Sequence, residues 1–158
     1  MHLQKGHAVA FGDLDGSGNQ DVVEEMGGVY PSDKFWTAIY KNPGHGNHWV
    51  KLRLTGVKAN RFAVGARLRV VATEDGQARE IFDTVSSGGS FGASSLRPHI
   101  GLGKAGAIDL LEIRWPGSGT TQQFKGPFQA DRTYEIREGE PQMKLVETGV
   151  KEAARRPQ

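Results

Sequence analysis

Cysteine is absent from all 158 residues, which excludes disulfides, thiolate metal sites and a cysteine nucleophile. That absence leaves the cellular compartment open. Also missing is any apolar run approaching the ~20 residues that a membrane-spanning helix needs. Charge of one sign is not in excess either: 20 basic residues face 18 acidic ones for a net +2. Despite a pI near 9.0, such interspersed charge offers no electrostatic footprint for nucleic acid. The opening Met1-His2-Leu3-Gln4-Lys5 carries no secretory signal pattern and leads directly into the first apolar segment. Turn formers are abundant instead. With 22 glycines, 7 prolines and 37% hydrophobic residues, the composition is that of a turn-rich β protein. The length suits one domain, or one domain with a small appendage.

The stretch Gly12-Asp13-Leu14-Asp15-Gly16-Ser17-Gly18-Asn19-Gln20-Asp21 concentrates the chemistry. Three carboxylates stand at relative positions one, three and nine, with Ser17 at five and Asn19 at seven. Crowded short acids repel unless a cation lies among them. A hard cation such as Ca²⁺ takes six to eight oxygens, which alternating residues of a tight loop can supply from one side. The predicted ligands are the side chains of Asp13, Asp15, Ser17 and Asp21 and the main-chain carbonyl of Asn19. An EF-hand loop also uses positions one, three and five and ends on a Glu at twelve, here Glu24, but it lies between helices. The flanks here, Ala8-Val9-Ala10-Phe11 and Val22-Val23, are short, apolar and β-prone. The loop therefore joins two strands, and its bland alternative is a metal-free Gly/Asp hairpin.

Strand, Asp-x-Asp-Gly-x-Gly-x-x-Asp loop and strand together resemble the FG-GAP (integrin-α-like, VCBS-type) repeat, a β-propeller blade with a calcium loop. Further on, Asn47-His48-Trp49-Val50-Lys51-Leu52-Arg53-Leu54 and Asn60-Arg61 with Gly65-Ala66-Arg67 resemble the ASPIC/UnbV domain. Its later signatures are Ser87-Gly88-Gly89-Ser90-Phe91, His99-Ile100-Gly101-Leu102-Gly103 and Ile113-Arg114-Trp115-Pro116. A calcium blade followed by this module is the order found in the CRTAC1-like (cartilage-acidic-protein-like) proteins. The resemblance covers roughly residues 7–139. Two departures stand out: Ser17 replaces the usual Asp or Asn, and a single blade is present. The resemblance implies an extracellular or cell-surface, non-enzymatic calcium-binding module; the alternatives are a carbohydrate-binding module or an accessory domain of a larger enzyme. It also implies a protein or glycan ligand, the remaining blades as partners, and a place at the C-terminal end of a longer exported protein.

In chain order, strands are expected at 8–12, 21–26 and 35–40, giving a partial blade over 1–46. Asn42-Pro43-Gly44-His45-Gly46 marks a boundary. Beyond it, Val50, Leu52 and Leu54 alternate with Lys51 and Arg53, and Ala66, Leu68 and Val70 with Arg67 and Arg69, as half-buried strands require. Asp75-Gly76 predicts a hairpin turn returning through 79–84. With strands at 99–102, 111–115, 120–124 and 133–136, seven short strands predict an antiparallel β-sandwich over 47–139. Residues 140–158 read as a C-terminal tail, with a helical pattern from Met143 to Arg156 and a mobile end. The expected fold class is thus all-β, a partial propeller blade packed on a sandwich.

Other chemistries are weaker. His45 and His48 lack further zinc ligands nearby. Ser90, His99 and Asp109 could be cast as a hydrolase triad, but no Gly-x-Ser-x-Gly elbow accompanies them, and no catalytic residue is assigned. Lys51, Arg53, Arg67 and Arg69 could line one basic face for sulfated or uronic sugars, although outward charges also protect exposed strands. Trp36, Trp49 and Trp115 could form a sugar platform, but Trp115 has the inward register of a core residue.

Overall fold

The computed structural model describes residues 6–27, 36–89 and 95–146. These fall into two compact units, one comprising 6–27, 36–46 and 88–89, the other 47–87 and 95–146. The protein is all-β, with no helix among the described residues. None is therefore long and apolar enough to cross a membrane.

The first unit is a three-stranded antiparallel sheet of β1 (Gly6–Gly12), β2 (Asp21–Met26) and β3 (Ala38–Tyr40), in that order. Register pairs Gly12 with Asp21, so residues 13–20 form the connecting loop. The third strand is shorter than the 35–40 expected. Its ladder pairs only Ala38–Tyr40 with β2, and at Thr37 a side-chain bond to Glu25 (2.6 Å) takes the place of further pairing. Phe35 lies outside the described residues.

Among its described residues the second unit holds eight strands where seven were expected. They are β4 (His48–Thr55), β5 (Arg67–Glu74), β6 (Gln77–Thr84), β7 (His99–Gly103), β8 (Ala107–Arg114), β9 (Thr121–Gln129), β10 (Arg132–Arg137) and β11 (Lys144–Val146). They form two four-stranded sheets, β11-β10-β4-β7 and β6-β5-β8-β9. The alternation read from the sequence is the burial pattern found: Val50, Leu52, Leu54, Leu68 and Val70 are buried between the sheets with Ile100, Leu111, Ile113 and Ile136. Fully burying each such side chain contributes about 1.5–3 kcal/mol. Trp115 is core, 1% exposed, and its indole N–H is satisfied by Gln122 Oε1 at 2.9 Å. Asp75 and Gly76 take φ of 50° and 77°, the left-handed pair that a two-residue hairpin requires.

Two features correct the sequence expectation. Lys144–Val146 is a strand paired with β10, not the start of a helix. Three residues are too few to show a period, and the unpaired edge of β10 decides their conformation. Residues 147–158, the rest of the expected tail, lie outside the described residues. The sandwich is also not wholly antiparallel, because β10 runs parallel to β4, with Tyr134 opposite Leu52 and Ile136 opposite Leu54. Parallel neighbours need a long crossover, and here the chain passes through β5 to β9 between them.

Candidate metal-binding loop

The β1–β2 loop is shaped by its own side chains. Gly16 and Gly18 take φ of 75° and 89°, conformations open to glycine at little cost. Asp15 Oδ1 accepts from Ser17 N at 3.0 Å and Ser17 Oγ from Asn19 N at 3.3 Å, two successive side-chain-closed turns. Asp13 Oδ2 reaches further, accepting from Gly18 N at 2.9 Å. Asp21 is buried, 3% exposed. Its Oδ2 accepts from Leu14 N (3.2 Å) and its Oδ1 from Asn42 N (2.8 Å). Asn42 in turn donates to Gln20 O and accepts from Gly44 N. A Cβ built on Gly44 would meet the Asn19 amide, 2.5 Å away at the nearest atom, so only glycine lets the 42–44 turn lie against the loop.

Charge is balanced from outside the predicted set. Lys41 Nζ lies 2.6 Å from Asp15 Oδ2. That ammonium, aided by the Ser17 hydroxyl and amide, holds the Asp15 carboxyl well below the usual carboxylate range, while Asp15 raises the Lys41 pKa. Lys41 and Asn42 were missed from sequence. Asn42 stands in a visible Asn-Pro-Gly turn, but nothing local marks Lys41, whose role depends on β3 lying beside β2.

The loop thus brings Asp13, Asp15, Ser17, Asn19 and Asp21 into one short hydrogen-bonded turn. It does not gather their carboxylates into a preformed cage. Among the described residues, no three His, Asp or Glu side chains converge as a metal centre. The donor set is nevertheless oxygen-only, partly buried and already attended by one cation, which fits a hard metal ion rather than a soft one.

The other candidates separate. His48 Nδ1 stands 2.7 Å from Asp131 Oδ2, so Asp131 rather than His45 is its partner. Asp109 accepts from Thr73 Oγ1 at 2.7 Å. His99 lies edge-on to Trp49, with ring centroids 5.4 Å apart, on a different sheet from Asp109. Ser90 is outside the described residues. The four basic residues do not share a face. Lys51 and Arg53 lie on β4, Arg67 and Arg69 on β5, in different sheets, and the outer faces of a sandwich look in opposite directions. The three tryptophans do not form a platform, since Trp115 is buried in the core, 1% exposed.

In the second unit one acidic residue is built into a loop. Glu138 Oε2 accepts from the consecutive amides of Val57, Lys58 and Ala59 at 2.7, 2.7 and 2.8 Å. Its own amide donates to Thr55 O at 2.9 Å. Burial by itself would raise the carboxyl pKa. The three amides and the Ser118 hydroxyl outweigh it and lower the value to about 2. Within the same loop, Asn60 clasps Val64, donating to its carbonyl (2.8 Å) and accepting from its amide (2.9 Å). No sequence pattern flagged Glu138, which stands in a plain Arg-Glu-Gly-Glu run.

No match to a curated protein was found for the chain. The family described as ASPIC and UnbV matches residues 56–143, a span that opens at the loop held by Glu138 and runs through β5 to β10. With more than half of its residues covered in this way, the chain belongs to the ASPIC and UnbV family.

Proposed function

We propose that the chain is a non-enzymatic, calcium-binding interaction module of the extracellular space or cell surface, in which a CRTAC1-like order joins an FG-GAP-like blade to the family domain. Asp13, Asp15, Ser17, Asp21 and the Asn19 carbonyl hold Ca²⁺, whose role is to neutralise the acids and set the loop. The supporting observation is the loop itself: three carboxylates within nine residues, around a turn with two left-handed glycines, closed between paired strands. The blade reading draws further support from the small sheet. Among the described residues it has three strands where a propeller blade normally has four, and it leaves Phe11 and Ile39 64% and 63% exposed. Such apolar positions suit a sheet that stacks on the remaining blades of a propeller.

Five protein oxygens with one hydroxyl among them favour Ca²⁺ over Mg²⁺, which demands stricter geometry and dehydrates reluctantly. Calorimetric titration should show modest affinity for Ca²⁺, little for Mg²⁺, tighter binding for Ser17→Asp and none for Asp13→Asn. Absence of binding at millimolar calcium, or an Asp13→Asn variant that binds as wild type does, would remove the assignment.

A further inference from the structure

Among the described residues, one row of side chains on the β6-β5-β8-β9 sheet makes no hydrogen bond or ion pair. Strand register aligns Thr84, Arg67, Arg114 and Thr121 across all four strands. All four residues are exposed. Leu68 and Val70 point into the core, so Arg67 and its row face outward. Arg67 and Arg114 are directly opposite in an antiparallel pair. Such neighbours have Cβ atoms about 4.5–5.5 Å apart, and like charges there are destabilising.

The adjacent row shows how the same sheet handles an arginine. Arg69 donates to Glu80 at 2.6 and 3.1 Å and lies 3.9 Å from Glu112, whose carboxylate also accepts from Gln123 at 2.6 Å. The side chains of Arg67 and Arg114 have no hydrogen bond or ion pair among the described residues. The register thus sets two arginine side chains on neighbouring strands of one face, with a threonine on each flank. Guanidinium forks match the oxygens of carboxylates and of tetrahedral oxyanions, so an anion seated on the row would offset the repulsion.

The row crosses three inter-strand spacings, about 14 Å, on an open sheet face. That shape suits an extended polymer better than a small free ion. Phe82 stands on the same face, opposite Arg69 and two residues from Thr84, and is 69% exposed. Its ring is a flat apolar surface against which the C–H face of a sugar can lie. We propose that this row binds a sulfated polysaccharide, with sulfate esters on Arg67 and Arg114 and a sugar ring on Phe82. The inference rests on the reading of the chain as an interaction module, but not on its metal, since the row and the β1–β2 loop belong to different units.

The test measures binding of the full chain to heparin, hyaluronan and duplex DNA at physiological salt in the presence of EDTA, so that failure of the calcium assignment leaves this result intact. Heparin should bind best. The double variant Arg67→Ser/Arg114→Ser should weaken it by about tenfold or more, as loss of charge-assisted bonds implies. Arg53→Ser/Lys58→Ser removes the same charge elsewhere and should leave binding nearly unchanged. Phe82→Ser should weaken it without lowering net charge. Thermal unfolding of the Arg67→Ser/Arg114→Ser variant should match or exceed that of wild type, because a repulsion is removed. No binding of heparin by wild type, equal binding of hyaluronan or DNA, or equal losses in the two double variants would overturn the proposal. An unaffected Phe82→Ser would overturn the placement of the ring.

Discussion

Glu138 ties two distant parts of the sandwich through one oxygen, and its removal has a calculable consequence. Hydrogen bonds to a charged acceptor contribute about 1.5–3 kcal/mol each, against about 0.5–1.5 for neutral pairs. Glu138→Gln keeps an acceptor facing Val57, Lys58 and Ala59 but removes the charge, so three bonds should together lose about 3 kcal/mol. The carboxyl pKa leads to the same size. It falls from an ordinary 4.5 to about 2 in the fold, which at 1.36 kcal/mol per unit corresponds to about 3 kcal/mol. Because the folded value is the depressed one, this stability is fully present above about 4.5. It is lost as pH falls through that value towards about 2. Urea unfolding followed by emission of the buried Trp115 should place Glu138→Gln about 3 kcal/mol below wild type at pH 7, with the gap closing as pH approaches 2. A gap of equal size at pH 7 and pH 2.5 would refute the reasoning, because a loss independent of charge cannot come from the carboxylate.

Two further outcomes follow from local geometry. Gly76 has φ of 77° with nothing within 4 Å of a built Cβ, so Gly76→Ala should cost about 1–2 kcal/mol of backbone strain alone, and Gly76→Asn less; equal stability of all three by thermal unfolding would contradict this. Lys41→Met removes the largest cause of the low Asp15 pKa, so the Asp15 carboxyl should move up towards the usual carboxylate range in an NMR titration, and an unmoved value would mean that the ion pair does not form in solution.

Much of the second unit was legible because its strands alternate. Val50-Lys51-Leu52-Arg53-Leu54 states its own inward and outward faces, and Asp75-Gly76 states its own turn. The acidic loop was legible for the same reason, since its carboxylates, glycines and flanking strands lie within one short stretch. These are short-range signals, carried by neighbours in sequence. Tertiary structure decided what depends on closure. Glu138 meets amides 79 to 81 residues away. Arg67 faces Arg114 only because β5 and β8 pair in one register. Lys51 and Arg67 look alike in sequence yet belong to separate sheets. Lys144–Val146 is extended because an edge strand offers its unpaired backbone groups. Pattern determines which face of a strand is wet. Only the pairing of strands determines what stands beside it.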